Sequence, residues 1–274
     1  MYCQFYGLKE RPFNVTSDPA FFFLSRKHNE ALSHMFYGVS QRKGIIVLTG
    51  EIGTGKTTLC RFFLSQLGKN VKTAFILNPH FSEAQLLEAI TSDFGIIAKD
   101  ATRLGLVSEL NKFLLKESEL GNNIVLIIDE AQNLKPALLE QVRLLSNLET
   151  EKDKLLQVLL VGQPELNHKL NLYDLRQLRQ RVMVRYHITP LEADEVKDYI
   201  SHRIRIAGGS ERIKFNEEAL KLIYDFSGGT PRLVNMVCDR ALLAGFVAES
   251  FRIDFNIINR CIEELESYFV KEAK

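Results

Sequence analysis

The apolar run Ile45-Ile46-Val47-Leu48 leads through Thr49 into Gly50-Glu51-Ile52-Gly53-Thr54-Gly55-Lys56-Thr57. A chain written this way must end a buried strand, turn tightly and start a helix within a few residues. Glycines at 50, 53 and 55 let the backbone bend and turn its N–H groups inward. Those donors, with the positive end of the following helix, form a cradle for phosphate groups. Gly50 through Thr58 are therefore expected to line a nucleoside triphosphate, with Lys56 on the outer phosphates and the Thr57 hydroxyl on Mg2+. No Asn-Lys-x-Asp run of the kind that reads guanine is present, which points to ATP.

Bulk composition excludes little. Charged residues make up 25% of the 274 and the apolar class 46%, ordinary for a globular protein. A net charge of +1 gives no global pull toward nucleic acid or an anionic membrane. Cys3, Cys60, Cys238 and Cys261 are scattered, with no CxxC pair, so reduced thiols in a cytosolic protein are expected. No apolar run approaches the ~20 residues that span a bilayer, and no signal-peptide pattern opens the chain.

The first residues are aromatic and punctuated by proline (Phe5, Tyr6, Pro12, Phe13, Pro19, Phe21), so they are expected to pack back on the fold. Phe13, Pro19 and Phe21 suit either an adenine wall or ordinary core packing. Ser25 is placed to cap a helix running to Ser40. Buried strands near 45–49, 73–77, 124–128, 156–161 and 182–188 then alternate with helices. This predicts an α/β fold with a parallel sheet covered on both faces. Beyond Thr189-Pro190 the pattern reads as helices alone. The expected division is a P-loop domain over 1–189, including the aromatic segment, and a helical lid over 190–274.

A second motif completes the chemistry. Val125-Leu126-Ile127-Ile128 ends in Asp129-Glu130, and ligands of parallel sheets sit beyond the carboxyl ends of the strands. Asp129 is expected to hold the metal and Glu130 to polarise a water facing the γ-phosphate. The tips at Thr49 and Ile128 are expected to lie side by side. Gln163, at the end of the next strand, either orients that water or caps the loop before Pro164. Arg176, Arg179 and Arg181 include candidates for an arginine finger supplied across a subunit interface, Arg179 and Arg181 first; a basic helix end is the alternative. Thr230-Pro231-Arg232 opens a late helix, where Thr230 is placed to cap and a cation on the first turn suggests a nearby phosphate.

In this order the parts resemble an AAA+ ATPase over nearly the whole chain. The resemblance implies five parallel strands, a helical lid, ATP between them and ring or helical homo-oligomers. It implies Gln163 as a nucleotide sensor, where Asn, Ser or Thr is more usual, and Arg232 as a second sensor. Phe5-Tyr6-Gly7-Leu8, Pro12-Phe13, Asp18-Pro19, Gly162-Gln163-Pro164-Glu165-Leu166 and Gly229-Thr230-Pro231-Arg232-Leu233-Val234-Asn235 are similar to the general secretion pathway protein A family and to ATPases of pilus and exopolysaccharide systems. That resemblance implies an ATPase serving an envelope secretion, pilus or polysaccharide apparatus. It would be cytoplasmic and reach the inner membrane through a protein partner. The same core also resembles DNA-coating transposition regulators and replication loaders, for which Arg26-Lys27 and Arg42-Lys43 are the available basic doublets.

Overall fold

The computed structural model describes residues 1–272 apart from 15, 78, 80, 99 and 150–153. Helices α1 (Tyr2–Tyr6) and α2 (Arg26–Ser40) precede β1 (Ile45–Gly50). There follow α3 (Lys56–Gln66), β2 (Val71–Ile76), α4 (Glu83–Asp93), α5 (Arg103–Glu119), β3 (Asn123–Ile128) and α6 (Pro136–Leu145). Next come β4 (Leu156–Gly162), α7 (Glu165–Leu170), α8 (Arg176–Arg181) and β5 (Val182–Ile188). The chain ends in α9 (Ala193–Ile206), β6 (Lys214–Phe215), α10 (Glu217–Ser227), α11 (Pro231–Val247), β7 (Arg252–Ile253) and α12 (Phe255–Glu272). These elements form two compact units. One takes His28–Ile52 and Leu59–Ile188; the other takes Met1–Lys27, Gly53–Thr58 and the chain from Thr189 onward.

The first unit holds a sheet of five strands in the order β2-β3-β4-β1-β5, with every pairing parallel. Side chains alternate across a strand, so a strand apolar at every position must be covered twice. Ile45, Val47, Leu126, Ile128, Val158 and Leu160 enter one core with Leu86, Ile90, Leu110 and Leu114 of α4 and α5. The intervening Ile46, Leu48, Val125, Ile127, Leu159 and Val161 are equally buried. Helix starts follow the local chemistry. Ser82 and Gln85 form a capping box on α4, Thr102 caps α5 through the Gly105 N–H, and Pro136 opens α6.

The expected side-by-side placing of the Thr49 and Ile128 tips does not hold. β1 and β3 are not neighbours: β4 runs between them, pairing Gly162 with Thr49 and Leu160 with Ile128. Each of these strands is the same kind of Ile/Leu/Val run, which reports burial and says nothing about lateral order.

The second unit is built on α9 to α12, with the N-terminal segment in its core. Tyr2, Tyr6, Leu8, Phe13 and Phe21 pack there with Val196, Ile200, Ile223, Val234, Val237 and Ile258. The aromatic segment, grouped by the sequence with residues 1–189, thus lies with the C-terminal helices. A buried cation explains the attachment. Arg203 is 7% exposed and donates through Nε to the Pro12 carbonyl at 2.5 Å and through Nη2 to the Asn14 carbonyl at 3.1 Å. Its guanidinium also stands over the Phe21 ring, 5.0 Å from the centroid. Tyr2 and Tyr6 add hydroxyl bonds to Asp239 and to the Ser250 carbonyl. The reading of helices alone beyond Pro190 missed β6 and β7, a two-residue parallel pair too short to show periodicity.

All four cysteines are free, and only Cys3 is partly exposed. Burial pushes the Cys238 thiol up, and the Cys261 thiol up to about 11. Because the thiolate is the reactive form, iodoacetamide at about pH 8 should label Cys3 and spare Cys60, Cys238 and Cys261 until the chain unfolds. Mass spectrometry reads the sites; prompt labelling of the three buried thiols in the folded chain would contradict this packing.

Candidate nucleotide site

The loop after β1 has the backbone that phosphate binding requires. Gly53 and Gly55 adopt φ of +82° and +91°, on either side of the buried Thr54. Such alternation turns successive N–H groups to one side and makes an anion-binding concavity. Lys56 opens α3 and is 6% exposed, and the first turn of α3 carries no acid to neutralise its positive end.

Gly53 is also needed for packing. A Cβ there would stand 2.6 Å from the Arg232 Cβ and 3.2 Å from the Thr230 methyl. The Arg232 N–H donates to the Gly53 carbonyl at 3.2 Å, so the start of α11 is bonded directly to the loop. Thr230 occupies the N-cap position of α11, but its side chain makes no capping bond. The preceding Gly229, at φ +74°, lies so close to Leu191 that any Cβ would collide with the Leu191 carbonyl; the Leu191 N–H donates to the Gly229 carbonyl at 3.0 Å.

The carboxyl edge of the sheet carries the other candidates. Asp129 follows β3, is 1% exposed, and accepts the Glu130 N–H through Oδ1 at 2.9 Å. Glu130 sits in the left-handed region at φ 54°, ψ 37°. Its Oε2 accepts from Gln163 Nε2 at 3.1 Å and from Gln132 Nε2 at 2.5 Å. Because β4 lies between β1 and β3, Gln163 emerges between their tips. On the β1 side, Asn167 Nδ2 donates to Thr49 Oγ1 at 3.2 Å, and His187 Nδ1 lies 3.0 Å from the same oxygen. Gln132, Asn167 and Lys169 were not singled out in the sequence. Gln132 alone had a readable signal, three residues after Asp129 in Asp129-Glu130-Ala131-Gln132.

Magnesium takes one or two protein oxygens and keeps its waters. Taken separately, the Thr57 hydroxyl in one unit and the Asp129 carboxylate in the other are oxygens of that kind. Among the described residues no cluster of three or more His, Cys, Asp or Glu is available to hold a softer metal.

Arg176 and Arg179 are exposed on α8. Arg176 lies over the Tyr173 ring, 4.2 Å from its centroid, and Arg179 reaches Asn171 Oδ1 at 3.5 Å. Arg181 ends α8 and is half-buried. The two basic doublets are largely engaged within the chain. Arg26 pairs with Asp194 at 2.6 Å and Glu195 at 3.3 Å, Arg42 donates to the Asn122 carbonyl, and Lys43 lies over the Tyr37 ring. Phe13 and Phe21, possible adenine walls by sequence, are both core residues.

Residues 39–170 match the family model described as an AAA domain. General secretion pathway protein A of Aeromonas hydrophila is 46% identical over 254 residues, covering 92% of this chain and 46% of that protein. The chain therefore spans a little under half the length of that relative. Among solved structures, the Aeropyrum pernix ORC2 protein in its ADPNP-ADP complexes superposes with a TM-score of 0.69 at 16% identity, over 93% of this chain and 72% of that one. Cdc6p of Pyrobaculum aerophilum gives 0.67 at 19% identity, over 86% and 68%. The Thermotoga maritima RuvB branch migration motor gives 0.60 at 19% identity, over 90% and 73%. Likeness at such identities establishes the fold, an α/β P-loop architecture of the AAA type.

Proposed function

We propose that this chain, whose residues 39–170 match an AAA domain model and which is 46% identical to general secretion pathway protein A over 92% of its length, hydrolyses Mg-ATP to drive assembly or remodelling of an envelope secretion, pilus or polysaccharide-export apparatus. The observation that carries the enzymatic part is the loop itself, with glycines at positive φ around the buried Thr54 and Lys56 heading an acid-free helix end. Gly50 through Thr58 bind the phosphates by backbone N–H groups, and Lys56 and Arg232 neutralise their charge. Thr57 and Asp129 would hold magnesium, which when bound supplies further charge neutralisation on the phosphate oxygens. Glu130 orients the attacking water, and Gln163, bonded to its carboxylate, links that orientation to the end of β4.

Arg179 or Arg181 completes the site of a neighbouring copy in a ring or helical homo-oligomer. Hydrolysis then resets how copies pack, which is the mechanical output. Among the described residues no helix is long and apolar enough to cross a membrane. The output reaches the inner membrane from the cytoplasmic side through a membrane protein partner. Magnesium-dependent phosphate release from ATP by the purified chain tests the enzymatic reading.

The arrangement across copies has its own test. Arg179→Ala and Arg181→Ala are each expected to be inactive alone if both arginines serve the neighbour, with losses of roughly 10³-fold or more for the finger itself. Mixing either variant with inactive Lys56→Ala copies should restore phosphate release, because some interfaces then pair an intact loop with an intact arginine. Failure of both mixtures to recover would remove the finger role from this helix.

A further inference from the structure

The Glu130 carboxylate is held by more than one neighbour. Gln132, 9% exposed, donates Nε2 to Glu130 Oε2 at 2.5 Å and accepts the Gln163 N–H through Oε1 at 3.1 Å. One amide side chain therefore ties the end of β3 to the end of β4. There is space for it because residue 162 is glycine: a Cβ there would stand 2.8 Å from Gln132 Oε1. Behind it, Lys169 of α7 donates its ammonium to the carbonyl of Gln132 and, at 3.0 Å, to that of Leu134. These carbonyls belong to the short turn Ala131–Asn133 and its exit, which Glu130 enters from a left-handed backbone. A non-glycine residue keeps that conformation only where its surroundings over-determine it.

We infer that Gln132 and Lys169 are positioning residues for Glu130: Gln132 aims the carboxylate and couples it to the tip of β4, and Lys169 clamps the turn that presents it. The inference rests on Glu130 being the group that orients the attacking water. Simple packing would explain a buried Gln132, but it does not call for two donors converging on one carboxylate oxygen or for a cation capping two carbonyls of the same turn.

Two measurements on the full chain decide it. In the nucleotide-free protein, Gln132→Ala should speed exchange of the Gln163 amide hydrogen by about tenfold or more, since its acceptor is gone. Lys169→Met should do the same for the Asn133 and Leu134 amides, and Lys169→Arg, which keeps a cationic donor, should not. In steady-state hydrolysis, Gln132→Ala and Lys169→Met should lower kcat by about tenfold or more while KM for ATP stays within about twofold. Adding Gln132→Ala to Glu130→Gln should cost nothing further, because both act through one group. Unchanged exchange, unchanged kcat or a fully additive double variant would overturn the assignment. If Glu130→Gln is inactive and Gln132→Ala is not, the positioning role alone fails. If Glu130→Gln turns over like the parent, the reading of Glu130 fails and the inference falls with it.

Discussion

Lys56→Ala should lose ATP hydrolysis by at least about a hundredfold, the cost of removing one preorganised donor from developing phosphate charge. The ammonium is the one side-chain cation of the loop, and it sits at the first residue of α3, where the helix end already favours an anion. Removing it takes a charge from the ground state and the transition state together, so ATP affinity should fall as well as kcat. The fold should survive, because alanine is the best helix former and the replaced residue lies at a helix start. Stopped-flow binding of a fluorescent ATP analogue, phosphate release and the nucleotide-free melting curve separate these effects. Parent-like turnover in the variant would place the phosphates elsewhere.

Gly229→Ala should be the most damaging small substitution in the helical unit. Its backbone is left-handed, at φ +74°, and a Cβ would be driven into the Leu191 carbonyl, with the Leu191 carbonyl carbon 2.9 Å away. The obstacle is backbone, tied to the same residue by the Leu191 N–H bond to the Gly229 carbonyl, so it has no flexible end to move aside. Left-handed strain and a forced main-chain shift together cost about 3 kcal/mol or more. For a chain of this size that corresponds to a fall in melting temperature of roughly 6–12 °C. Gly228 is the internal control. It is also left-handed, at φ +54°, but a Cβ there would meet nothing within 4 Å, so Gly228→Asn should cost only a small part of that amount. Equal melting of Gly229→Ala and the parent would show that α11 does not start against Leu191 as described.

What could be read from residues alone was local chemistry. The loop, the Asp129-Glu130 strand end and the alternation of buried runs with helices each rest on a few adjacent residues, and each appears where expected. Gly229-Thr230-Pro231-Arg232 also read correctly as a helix start, although the Thr230 side chain does not cap it. Long-range choices were not legible. β4 separates β1 from β3, yet its Leu156–Gly162 run differs in no useful way from theirs. The aromatic N-terminus joined the helical unit because Arg203, some 190 residues away, needed the carbonyls of Pro12 and Asn14. An arginine in an amphipathic helix gives no hint that it will be buried. Lys169 was hidden for the same reason: its partners are main-chain oxygens, which have no sequence signature.

The proposed hydrolysis turns on Glu130, the group that acts on the attacking water of a triphosphate held by the loop. Glu130→Gln keeps the shape and removes the charge, so the decisive experiment compares it with the parent after one turnover with γ-labelled ATP and magnesium. The variant should bind ATP as the parent does and retain the intact triphosphate while the parent releases labelled phosphate. Rapid phosphate release from Glu130→Gln, at the parent's rate, would mean that another group acts on the water.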